Sequence, residues 1–146
     1  MSKRATRLPA VDCEILLEPD SPSHPLCGVI AALRHAKGRA VLAIGCDMPF
    51  LTGQLLHWMA GLEGTVAISL DGRLEPLPAR WAAAHLTELE QALEHGAPMR
   101  RVLESLPART VGRSALRRFG DPHTLCFNVN DNVDLAHADA LPRAAP

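Results

Sequence analysis

Ala40-Val41-Leu42-Ala43-Ile44-Gly45-Cys46-Asp47-Met48-Pro49-Phe50 decides the fold. Residues 40–45 are apolar without a break. A strand buried on both faces reads this way, and such strands belong to parallel sheets whose faces are covered by crossover helices. Asp47 follows almost at once, and Pro49 has no N–H to give a ladder, so the strand stops there. In open α/β sheets, ligands bind outside the carboxyl ends of the strands. Asp47 is therefore the leading candidate for a ligand-site carboxylate. Spacing alone also allows an ordinary turn or helix-capping aspartate.

Working outward, Leu26 to His35 places Leu26, Val29, Ile30 and Leu33 on one helical face, and Lys37-Gly38-Arg39 stops that helix. Pro19, Pro22 and Pro25 make the preceding segment a loop. Residues 11–18 read as a short strand. Downstream, Thr52 is placed to cap a helix over 53–60, and 64–70 is a second buried strand. Asp71-Gly72 is a turn, after which 74–81 pairs back despite Pro76 and Pro78. Leu86, Leu89 and Leu93 recur at helical spacing within 82–95. A shorter helix over 99–106, a brief strand at 108–111, a last strand at 125–129 and a terminal helix to about residue 140 complete the pattern, with 141–146 as a frayed tail. Strands alternating with helices predict a single three-layer α/β domain over 1–146 with a mainly parallel sheet.

Composition excludes several classes. The 146 residues carry 47% hydrophobic and 21% charged side chains, which is globular rather than disordered. A net charge of −1 gives no overall field for nucleic acid or an anionic membrane, so neither is expected as a partner. No apolar run approaches the roughly 20 residues of a membrane span, and no apolar core follows the basic start Lys3-Arg4-Ala5-Thr6-Arg7. Cys13, Cys27, Cys46 and Cys126 form no Cys-x-x-Cys pair. They read as reduced thiols of a cytoplasmic protein, most of them inside apolar stretches. The histidines lack metal spacing, and His57 and His85 read as surface or partly buried side chains on helices. Ser69 and Ser114 lack a nucleophile elbow. Arg100, Arg101, Arg109, Arg113, Arg117 and Arg118 could meet phosphate or an acidic partner but read first as a solvated face, and Trp58 and Trp81 as core or contact residues.

A second polar segment, Asn128-Val129-Asn130-Asp131, also falls at a predicted strand end. Asparagines there serve turns as readily as ligands. A carboxylate such as Asp47 can hold Mg2+, which takes one or two protein oxygens and fills its shell from phosphate and water.

Together these segments resemble the molybdenum cofactor guanylyltransferase family and its related nucleotide-transferase domains. His24-Pro25-Leu26-Cys27-Gly28 is similar to the family's Gly-Pro-Leu-x-Gly turn into a helix. Val41 to Leu51 resembles its metal-binding strand end, Arg73-Leu74-Glu75-Pro76-Leu77-Pro78-Ala79 its Pro-Leu-x-Ala segment, and Phe127-Asn128-Val129-Asn130 its Asn-(Val/Ile)-Asn ending. The matches keep family order and span nearly the whole chain. The resemblance implies a Rossmann-like sheet of the nucleotide-diphospho-sugar transferase type, and transfer of GMP from GTP to molybdopterin. Asp47 would be the catalytic Mg2+ ligand. Pro25, Leu26, Gly28, Asn128 and Asn130 would shape the substrate site, Gly28 by allowing close backbone approach. Either Glu18 or Asp20 would be the upstream acidic residue. Molybdoenzymes or other cofactor-biosynthesis proteins are the protein partners it implies.

One family segment is absent. The opening Leu-Ala-Gly-Gly-x-(Ser/Ala)-x-Arg-Met-Gly-x-Asp-Lys loop, whose amides and cations hold the triphosphate, has no counterpart here. Before residue 45 the glycines are Gly28 and Gly38, and His24 stands where the family has glycine. The sheet is thus expected to be N-terminally incomplete by on the order of 50 residues, the length of a strand, loop and crossover helix. A mis-assigned start, a remnant and half of a split protein are the origins this allows. Weak GTP binding and impaired transfer follow as expectations. The alternative is a non-catalytic domain that binds a pterin or a protein partner, and a third reading is a transferase using CTP or a sugar phosphate.

Overall fold

The structure is a computed structural model that describes residues 12–17 and 22–141. Helix α1 spans Pro25–Ala36. His24 caps it by accepting from the Leu26 N–H through Nδ1 at 3.2 Å, and Pro25 fills the first helical position, where its missing N–H costs nothing. Lys37, in the left-handed region, ends it as the spacing predicts. Strand β1 is Val41–Ala43, α2 is Gly53–Ala60, β2 is Val66–Leu70 and β3 is Arg73–Trp81. A 3-10 turn, Ala83–His85, leads into α3, Leu86–Glu94. Then come α4 (Met99–Ser105), β4 (Arg109–Val111), α5 (Arg113–Leu116), α6 (Pro122–Leu125) and α7 (Asn132–Ala140).

The strand order is β1-β3-β2-β4. β3 pairs antiparallel with both β1 and β2, while β2 pairs parallel with β4, so β1, β2 and β4 run in one direction and β3 is reversed. Pro76 and Pro78 do not break β3. Ala67 faces Ala79 and Ile68 faces Glu75, so residues 76–78 bulge away from β2, where prolines need no ladder N–H.

Two apolar cores flank the sheet, which makes three layers. Ala67, Ala79 and Trp81 face Leu26, Val29, Ile30 and Leu33 of α1, Leu89 of α3 and Val102 and Leu103 of α4. On the other face Val66, Ile68, Leu70 and Val111 meet Leu55 and Met59 of α2, Leu116 and Leu125. The alternation of Val66 and Ile68 against Ala67 is the period-2 pattern that sends successive side chains to opposite faces. Thr65, buried beside this strand, is satisfied because its hydroxyl accepts from the Ala82 N–H at 3.1 Å.

Four expectations need correction. Residues 40–45 form only the three-residue β1, which stands at the end of the strand order and is half-buried, and Ile44 beyond it is 51% exposed. Residues 125–129 are not a strand. Pro122 opens α6, Asp121 caps it by accepting from the His123 and Thr124 N–H groups, and 127–130 follow as irregular chain. Of the strand expected over 11–18, only Leu17 makes an isolated bridge, with Ile15 and Leu17 both exposed; Val11 and Glu18 lie outside the described residues. Cysteine burial holds for Cys27 alone, since Cys13 and Cys46 are exposed and Cys126 is intermediate; all four are free.

Candidate functional site

Asp47 lies four residues past β1, in the turn that joins it to α2. Gly45 makes its position possible, because a Cβ built there would overlap the Asp47 Oδ1 atom. The Asp47 carbonyl accepts from the Val129 N–H at 2.8 Å, which stitches the irregular 127–130 segment to the turn. The two segments singled out in the sequence thus meet through backbone. Among the described residues, no hydrogen bond or ion pair engages the Asp47 carboxylate.

The carboxylate lines a cavity of about 910 Å3. Its floor is the start of α2, where Thr52 accepts from the Leu55 N–H at 3.2 Å, as the sequence predicts. Phe50 and Leu51 line one part, Phe119 and Val129 another, and α7 contributes Leu135, Ala138 and Asp139. Phe127 holds α7 against this region. Its ring meets His137 edge-on at 5.2 Å and Phe50 at 6.2 Å.

The other expected site residues are dispersed. Pro25 is the exposed start of α1, whereas Leu26 is fully buried in the core and Gly28 is buried within the helix; these two act on the site only through the placement of α1. Asn130 turns toward α7, its backbone N–H donating to Asp134 Oδ2 at 3.0 Å. Asn128 lines a second cavity, of about 460 Å3, with Asp71, Arg73, Glu75, His123 and Cys126. There Arg113 donates to Asp71 at 2.7 Å and lies 2.7 Å from His123 Nε2. Burial, with help from the nearby Glu75 charge, pushes the Cys126 thiol up to about 12, so it is a neutral wall of that cavity. Glu18 and Asp20 lie outside the described residues.

Sequence reading missed Gly45, Phe119 and Asp139. An isolated glycine at a strand end was the available signal for the first. The other two come from α7 and the segment before α6, whose packing no local pattern reveals. Of the basic group, Arg101, Arg109, Arg113, Arg117 and Arg118 are exposed as expected, Arg118 stacking over Trp58, while half-buried Arg100 donates to the Leu74 carbonyl at 2.7 Å.

A carboxylate pair, Asp47 and Asp139, lines one cavity at the amino end of α2, whose N–H groups favour an anion. Hard oxygens in this number suit Mg2+, which needs few protein ligands when phosphate supplies the rest. Among the described residues, no group of three or more His, Cys, Asp or Glu side chains is placed to hold a metal ion. No described helix is long and apolar enough to cross a membrane.

The sequence matches the model of the MobA-like NTP transferase domain over residues 2–111. It is 34% identical over 138 residues to a molybdenum cofactor guanylyltransferase of Cereibacter sphaeroides, covering 88% of this chain and 66% of that protein. A probable molybdenum cofactor guanylyltransferase of Pelotomaculum thermopropionicum is 33% identical over 123 residues, covering 80% of this chain and 59% of that one. The crystal structure of molybdopterin-guanine dinucleotide biosynthesis protein A from Archaeoglobus fulgidus superposes with a TM-score of 0.69 at 30% identity, over 80% of this chain and 62% of its own. A structure from Aquifex aeolicus, at 21% identity and TM-score 0.63, shares the fold. The chain therefore spans about two thirds or less of the length of these relatives, and with the family model matching most of its residues it belongs to the MobA-like NTP transferase domain family.

Proposed function

We propose that this chain carries the metal-ligand side of a site that transfers GMP from GTP to molybdopterin. The observation that carries the reading is Asp47, a carboxylate with no described partner, held at a strand end over a cavity in a chain of this family. Mg2+, when bound, would neutralise phosphate charge and orient the phosphoryl group. Asp47 would hold it, with Asp139 in the same cavity as a second oxygen donor. The start of α2 would support phosphate oxygens through its N–H groups. Asn128, in the neighbouring cavity, would meet the acceptor's polar groups. Four free cysteines suit a reducing, cytoplasmic setting.

The test is product formation from Mg–GTP and molybdopterin, with pyrophosphate release measured in parallel. The expected result is Mg-dependent turnover that Asp47→Ala abolishes. Retention of most turnover in Asp47→Ala would end the metal-ligand role. The cavity lining, which holds no lysine or arginine among the described residues, favours a second reading, a domain that binds a pterin or protein partner without transfer. Complete absence of product at saturating GTP, with pterin binding intact, would establish it.

A further inference from the structure

β4 ends the strand order, so one of its edges has no neighbour in the described sheet. The Arg109 N–H points inward, donating to the Thr65 carbonyl at 2.8 Å. Backbone groups alternate sides along a strand, so in this parallel register the N–H and C=O of Thr110 point outward. Thr110 is exposed, and among the described residues no turn or loop hydrogen bond reaches its backbone. An open edge of this kind is a template for another strand. The chain around it is basic. Residues 105–120 hold Arg109, Arg113, Arg117 and Arg118 and no aspartate or glutamate, in a protein of net charge −1. Gly112 alone joins β4 to α5, so these cations stay close to the edge. Arg113 is engaged by Asp71 and His123, and Arg118 by Trp58 and Phe119. Arg109 and Arg117 are exposed, and among the described residues no carboxylate pairs with either.

Charge decides the occupant. A second copy pairing along β4 would bring its own Arg109 against this one, and like charges facing each other destabilise a strand pair. An apolar strand would leave both arginines unmatched. Nucleic acid would match the arginines but has no peptide backbone to pair with Thr110. An extended segment with carboxylates on alternate residues satisfies both, because alternate residues share one face of a strand. We propose that the outer edge of β4 is a docking site for an acidic, extended segment of a partner protein. That segment adds a strand through the Thr110 backbone and sets carboxylates against Arg109 and Arg117. Main-chain hydrogen bonds give this mode its affinity, and side chains give it specificity. The arginines that repel a second copy are the ones that attract the acidic strand. The lining of the Asp47 cavity includes neither Thr110 nor these two arginines, so docking at the edge is independent of the proposed transfer.

The test titrates the full chain into a fluorescein-labelled Glu-Val-Glu-Val-Glu-Val peptide and follows anisotropy. Saturable binding is expected at low salt, weakening as salt rises. Combining Arg109→Glu with Arg117→Glu should weaken it roughly tenfold. Thr110→Pro removes the outward N–H but no bond to β2, and proline is tolerated on a strand edge, so the fold should survive while binding weakens roughly fivefold. Thermal melting checks that the variants fold. If Thr110→Pro does not, the same peptide methylated on every backbone nitrogen replaces it on the native protein, with a similar loss expected. Hydrogen exchange locates the contact: the Thr110 amide should exchange quickly in the free chain and slow when peptide binds. Absent binding, equal binding of a Lys-Val-Lys-Val-Lys-Val peptide, or unchanged affinity in the folded double arginine variant would overturn the proposal. A uridine oligonucleotide that binds as tightly as the peptide and is indifferent to Thr110→Pro would overturn it in favour of polyanion capture. A dimer in sedimentation that Thr110→Pro dissociates would overturn it in favour of a second copy.

Discussion

At the scale of single residues, Gly45 and Asp47 act as one unit. The atom that a Gly45 side chain would strike is the far end of the Asp47 carboxylate, not backbone. Gly45→Ala should therefore push the carboxylate aside while sparing the fold. The expected outcome is an unchanged melting temperature together with loss of metal binding, read as weakened Mn2+ relaxation broadening of the 45–53 amides. A large drop in melting temperature would mean the backbone, not the carboxylate, had given way. Cys126 supplies a pH test. Its folded-state thiol is raised to about 12 from an ordinary 9.0, so the native state holds a proton that the unfolded chain releases. This contribution to stability is fully present below about pH 9 and is lost as pH rises toward 12. Denaturant midpoints should fall across that window in the native protein and fall less in Cys126→Ala. At neutral pH, an alkylating reagent should modify exposed Cys46 and Cys13 well before Cys126 or the buried Cys27.

At the scale of elements, the site depends on two capped helices. α2 starts at Thr52, whose oxygen satisfies the Leu55 N–H, and Thr52→Ala should cost about 1 kcal/mol of stability. α7 is the weaker element. Of its residues only Ala138 is buried, while Val133 is 76% and Leu135 50% exposed. Its start is held by Asp131, which accepts from the Val133 N–H at 2.8 Å and the Asp134 N–H at 2.9 Å. Asp131→Ala should accelerate hydrogen exchange across 132–140 and leave α1 and β2 unchanged; uniform protection would show that packing, not the cap, fixes α7. These elements also show what the sequence could reveal. The α2 cap, the α1 stop at Lys37 and the alternation in β2 follow from local rules, and all three are present. Asn128 was legible as a site candidate, but its separation from Asp47 was not. Apolar Leu125 to Val129 mimics a strand, and only the Asp121 cap and Pro122 reveal that the chain turns into α6 first. β1 fell short for a related reason, since a continuous apolar run reports burial but not how many ladder partners surround it.

Across the whole molecule, charge decides what the cavity can hold. The side chains lining it include the Asp47 and Asp139 carboxylates and no lysine or arginine among the described residues. Arg118 stands behind the wall, occupied with Trp58 and Phe119. A Mg–triphosphate retains negative charge after the metal binds, and here it would meet only the partial positive charge of α2's amino end, worth about 1 kcal/mol or less near solvent. The sequence as a whole is net negative by one charge, so no distant field compensates. Millimolar affinity corresponds to about −4 kcal/mol, more than one helix end and one shared cation supply against that repulsion. Mg–GTP should therefore bind the 146-residue chain with a dissociation constant above about 1 mM by calorimetry. A neutral ring such as pterin pays no such penalty and should bind more tightly than the nucleotide. Measuring both ligands on one preparation compares the two directly. A sub-millimolar constant for Mg–GTP would show that some group outside the described cavity supplies the missing positive charge.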